Sequence, residues 1–195
     1  MPSPTPFACL FLFLSAATTS PLAGMDASHG AAVADSLPQI LAGEWERHQA
    51  NVSAYVEAMP EEHFDFQPTP EVRTFAEQIE HIVRDHVSIV ATAFDRTDLP
   101  DLGNPERYLR EKDALLAHVE AGYEWVVQVI QGSDRGSLEA EGEVFGRYRV
   151  TRRRALEGAL EHGTWTLGQV VPYLRLNEVT PPPYVVFPHA TQVEG

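Results

Sequence analysis

Residues 151–177, TRRRALEGALEHGTWTLGQVVPYLRLN, decide how the chain folds. Ala155, Ala159, His162, Thr166 and Val170 recur every three or four residues, so they stack on one face of a helix, with Leu156, Leu160, Leu167, Val171 and Leu174 beside them. That face is apolar except at His162 and Thr166, one turn apart, where an imidazole and a hydroxyl point the same way as the core residues. Thr151 is placed to cap the helix by accepting from a free first-turn amide. Arg152, Arg153 and Arg154 then stand at the end where the helix dipole disfavours positive charge, which implies partners elsewhere for them. Pro172 removes one backbone donor inside the pattern and predicts a kink near the preceding turn, and Pro181, Pro182 and Pro183 end any helix.

Three more amphipathic stretches precede this one. Ser36 can cap a first helix that opens with Leu37 and Pro38 and runs to about Met59. Its stripe of Ile40, Leu41, Trp45, Val52, Tyr55, Val56 and Met59 includes His48, read as a packed, hydrogen-bonded histidine. Residues 60–70, PEEHFDFQPTP, form a turn-rich connection whose aromatics can cover one end of the core. A capping box, Thr74-Phe75-Ala76-Glu77, starts the second helix, which runs to about Phe94. On its wheel His86 falls near the middle of the buried stripe and His81 near an edge, with Asp85 one turn from His81, either orienting it or pairing at the surface. The third helix is expected from about Pro105 to Gln131; within it His118 has no partner that the sequence identifies. Residues 137–150 alternate and contain two glycines, so they form either an irregular connection or a short hairpin. Each apolar stripe is buried only against the others, and the fold expected is all-α, an up-down four-helix bundle with that connection between helices three and four.

At 195 residues the chain has one domain's worth of length. Residues 1–24 carry no charged side chain and contain the apolar run FACLFLFL at 7–14, which resembles a secretory signal peptide and is too short to anchor stably in a membrane. The expectation is export to a periplasmic or extracellular location, with a cytoplasmic chain starting at Met25 as the alternative. Residues 25–36 then read as a linker, 37–184 as the helical domain and 185–195 as a C-terminal tail. The only cysteine, Cys9, lies in the removable segment, which leaves the mature chain no thiol nucleophile or thiolate metal ligand. The net charge of −14 repels polyanions over most of the surface. Arg147, Arg149 and Arg152 to Arg154 are the one basic cluster, read as solvated or paired with carboxylates, and no nucleic-acid partner is expected.

Several of these pieces, in order and at their separations, resemble the DinB-like superfamily over about residues 37–184: Trp45, Ala58-Met59-Pro60, the Thr74–Glu77 box with His81, Phe145-Gly146, Thr151-Arg152-Arg153, and Leu167-Gly168-Gln169 with Tyr173, Arg175 and Asn177. The resemblance implies a divalent metal, usually nickel or zinc, on three histidines, one from helix two and two spaced i, i+4 on helix four. Carried over, the first falls on His81 and the second on His162. The third falls on Thr166, a neutral hydroxyl that is a poor ligand for a borderline metal.

The site expected from this correspondence is therefore a degenerate one, its metal weakly held or lost, with His48 and His86 as possible replacement ligands. The leading reading is a small-molecule-pocket protein of unknown ligand. The alternatives are a metal-dependent hydrolase or transferase using His81 and His162, and a dimeric helical scaffold. The resemblance extends to thiol-dependent transferases, whose chemistry needs the full triad and a cytosolic thiol pool that an exported protein lacks. No HExxH, GxSxG, P-loop or dinucleotide fingerprint points to another enzyme class.

Overall fold

The computed structural model describes residues 36–188; the signal-like segment, the linker before Ser36 and the last seven residues lie outside them. Four long helices carry the fold: α1 (Leu37–Ala58), α2 (Phe75–Ala93), α4 (Lys112–Gln131) and α6 (Arg152–Leu176). Between them lie a 3-10 turn (Glu61–His63), two short helices, α3 (Pro105–Tyr108) and α5 (Arg135–Glu139), and an antiparallel hairpin of β1 (Glu141–Val144) and β2 (Tyr148–Thr151). The chain is thus mostly helical with a two-stranded sheet, where the sequence pattern predicts either an irregular connection or a short hairpin between helices three and four. Helix α2 packs against both α4 and α6, and α1 against α4 and α6. Trp45, Val52 and Val56 of α1, Ile79 and Ile82 of α2, Val119, Tyr123 and Val126 of α4, and Leu156 and Leu167 of α6 share one core. Leu160, expected on the buried face, is only partly buried at its edge.

Local chemistry fixes where the helices start. The box at the head of α2 forms as the spacing predicts: Glu77 N–H donates to Thr74 Oγ1 at 3.3 Å, and Thr74 N–H to Glu77 Oε2 at 2.8 Å. Thr151 Oγ1 accepts from Arg154 N–H at 3.2 Å, and α6 then continues through Pro172. The single third helix expected from Pro105 to Gln131 is instead broken into α3 and α4. Glu111 adopts an extended conformation, and Glu61, from the 3-10 turn 51 residues earlier, accepts from Lys112 N–H at 2.6 Å. A cap donated by a distant carboxylate starts α4 there, and local periodicity contains no trace of it.

The arginines at the head of α6 find the partners that their position demands. Arg152 Nε donates to Ala93 O at 3.1 Å, at the end of α2; Arg153 bonds Glu139 at 3.0 Å and Glu157 at 2.7 Å; Arg154 reaches Glu161 at 3.4 Å. Gly142 lets β1 lie against the end of α2, since a Cβ there would collide with Ala93 O. Phe145 and Gly146 turn the hairpin with φ of 56° and 59°. Beyond α6 the chain returns across α1. Val185 N–H donates to Asn51 Oδ1 at 2.8 Å, Asn51 Nδ2 donates to Val185 O at 3.1 Å, and the Tyr184 hydroxyl lies 3.4 Å from both Arg47 and Thr164.

Candidate metal centre

The capping box and the contacts of α2 with two neighbours hold its second and third turns against α6. From that stretch His81 and Asp85, one turn apart, face His162 of α6. Their ligand atoms all lie within 4.8 Å of one another, and they are the one such group of three or more His, Cys, Asp or Glu residues among the described residues. Asp85 stands between the two rings, with Oδ1 3.4 Å from His81 Nδ1 and Oδ2 3.1 Å from His162 Nε2. The imidazole rings are perpendicular, their centroids 5.3 Å apart.

Both ring nitrogens are inaccessible to solvent and neither makes a hydrogen bond, so the carboxylate is close to each but off the axis a hydrogen bond requires. The side chains keep a path to water: 16% of His81, 28% of Asp85 and 29% of His162 is exposed. Burial pushes the His81 imidazole below its ordinary value, with the Asp85 carboxylate opposing. A neutral ring at that position presents a lone pair.

This donor set fits a divalent cation. Donors about 2.0–2.2 Å from a tetrahedral zinc stand about 3.3–3.6 Å apart along each edge; here Asp85 approaches each ring through a different oxygen, and the ligand atoms of the set all lie within 4.8 Å of one another. Two imidazoles and a carboxylate are also a three-ligand set used by catalytic zinc sites, which keep the fourth position open.

Thr166, at the position where the resemblance places a third histidine, is buried, and its Oγ1 has no hydrogen-bond partner. His48 and His86 are fully buried outside the group of three. His48 Nδ1 lies 2.6 Å from the Tyr123 hydroxyl, and His86 Nε2 lies 3.0 Å from Ala159 O. Burial, reinforced by the Arg47 charge, pushes His48 down to about 4, and burial holds His86 well below its usual value, so both rings are neutral at pH 7. His118 is spent on Leu102 O at 2.8 Å and stacks on Tyr108. The structure thus brings together His81 and His162, leaves His48 and His86 out of the group, and adds Asp85. The i, i+4 spacing from His81 was the available signal for Asp85, yet it reads equally well as a surface ion pair until α6 is placed opposite.

Trp165, three residues after His162, is 68% exposed with its ring 6.1 Å from the His162 ring. A groove of about 760 Å³ runs between α2, the loop after it and the hairpin, with Val87, Ala91, Leu99 and Leu102 among its apolar lining; none of the three donors lines it.

A mostly helical scaffold that presents imidazoles and a carboxylate from two facing helices defines a class of small proteins able to hold a metal. Residues 44–170, which include all three donors, match the family model of the DinB superfamily, and the chain belongs to that superfamily. Two solved structures share the fold. A DinB-like protein from Bacillus subtilis is 17% identical with a TM-score of 0.61, the match covering 74% of this chain and 96% of that one. Another DinB-like protein, from Bacillus cereus, is 16% identical with a TM-score of 0.56, covering 73% and 94%. No protein with a curated description matches the chain.

Proposed function

We propose that this chain is a divalent-cation-binding DinB-like domain, an up-down four-helix bundle on which His81, Asp85 and His162 hold one zinc or nickel ion and leave a position for a small molecule from solvent. The observation that carries the reading is the convergence, within 4.8 Å, of one carboxylate and two ring nitrogens that make no hydrogen bond, from α2 and α6. His81 and His162 serve as nitrogen donors, and Asp85 contributes the negative charge that a hydroxyl at position 166 does not. When bound, the cation supplies Lewis acidity toward a nucleophile or a carbonyl oxygen. The partial exposure of all three side chains leaves the approach open, and the Trp165 indole beside His162 offers an apolar face to whatever approaches. A metal-dependent hydrolase or transferase would use the same three residues and differ from simple binding by turnover.

Calorimetric titration of the metal-stripped protein with zinc and with nickel tests the assignment. One equivalent should bind, and Asp85→Ala should weaken binding by more than the roughly 10- to 100-fold typical of an outer-shell partner. A wild-type chain that remains folded by circular dichroism yet takes up no stoichiometric metal would overturn the reading.

A further inference from the structure

One residue beyond two of the metal-site positions, at His86 after Asp85 and at Gly163 after His162, the helices meet in a layer that is buried and polar. Three side-chain atoms there, from three different helices, have no hydrogen-bond partner: His48 Nε2 on α1, His86 Nδ1 on α2 and Thr166 Oγ1 on α6. Each residue is at most 1% exposed. Buried polar atoms in folded proteins are almost always partnered, by protein or by ordered water, because an unpaired one bears the full cost of its desolvation.

The rings are drawn together by Gly163. A Cβ there would collide with His86 Nε2 and would stand 2.7 Å from His86 Cε1 and 3.0 Å from His48 Cε1. Cε1 is bonded to both ring nitrogens, so each partnerless nitrogen lies one bond from an atom that faces Gly163. Thr166 follows Gly163 by three residues and so lies on the same face of α6.

The hydrogen-bond roles at this point follow by elimination. Ala159 O can only accept, so the proton of neutral His86 is on Nε2, and Nδ1 is left as an acceptor. The buried Tyr123 hydroxyl has His48 Nδ1 as its hydrogen-bond partner, and its proton is satisfied only by donation to that nitrogen. His48 must then carry its own proton on Nε2. The layer therefore offers one donor, one acceptor and one hydroxyl that can serve as either.

We infer that His48 Nε2, His86 Nδ1 and Thr166 Oγ1 bind a single internal water. It accepts from His48, donates to His86 and completes its contacts with Thr166, which matches the roughly three hydrogen bonds that a buried water ordinarily makes. None of the three metal donors takes part in this water site.

A crystal structure of the mature chain at atomic resolution, with tautomers read by long-range nitrogen–proton NMR, tests it. The expected result is one density peak within about 3.2 Å of all three atoms, with the proton on Nε2 of both His48 and His86. Thr166→Val, which keeps the shape of the side chain, should remove the peak. The site is overturned if the two rings bond each other directly with no density between them, if His48 is protonated on Nδ1, or if the valine variant keeps the peak.

Discussion

Four histidines lie within a short distance of one another where α1, α2 and α6 meet, and they divide into two pairs with opposite prospects. His81 and His162 are partly exposed, and their inward nitrogens have a carboxylate nearby but no hydrogen bond. His48 and His86 are fully buried, and each has committed one nitrogen to a fixed partner, Tyr123 or a backbone carbonyl. Residue type is the same in all four. What distinguishes a ligand from a structural element is which nitrogen is already spent, and whether an anion and a solvent path stand beside the other.

Acid should act on the buried pair most strongly. His48, held at about 4 in the fold, regains its ordinary value near 6.5 when the chain unfolds, so the unfolded state binds more protons between those two limits. Stability is then full above about pH 6.5 and falls as pH drops toward 4, by on the order of 3 kcal/mol from this residue, and His86 pushes in the same direction. Urea denaturation at a series of pH values measures the slope, and NMR titration assigns it. A His48 ring that titrates near 6.5 in the folded protein would erase the distinction between the pairs.

A smaller effect is expected where the pairs adjoin. Gly163→Ala places a methyl group against the His86 and His48 rings and should cost about 1–3 kcal/mol through overpacking. Gly158, five residues earlier on α6 and with open space around it, serves as the comparison. Equal thermal shifts for Gly158→Ala and Gly163→Ala would mean that the rings do not crowd α6. The least effect belongs to the rim of the same helix: Leu160→Ala should cost less than the 2–5 kcal/mol of a fully buried leucine such as Leu156, because Leu160 is only partly covered. Chemical denaturation of the two variants side by side gives the ratio, and parity would return Leu160 to the core face.

The four long helices, the caps at Thr74 and Thr151 and the burial of His86 were legible in the sequence, because periodicity and capping are local and recur along the chain. The hairpin was legible as one of two alternatives at its two glycines. The break before α4 was not, since the Glu61 carboxylate that makes it arrives from another element. The candidate site was legible in two of its three members. His81 and His162 followed from the resemblance, whereas Asp85 reads as a neighbour of His81 until the opposite helix is in place. Gly163 carried no signal either, because its role is to leave room for rings that belong to two other helices.

At Val185 the C-terminal return across α1 is held through its main chain rather than its side chain. Asn51 grips both backbone groups of Val185, as a neighbouring strand would, and it does so with a single carboxamide. Such a clasp recognises the main chain, so most residues at position 185 can be exchanged without loosening it, and proline, which has no N–H to offer, is the exception. Evolution can thus rewrite the side chain at that point while the address to which the segment returns stays fixed.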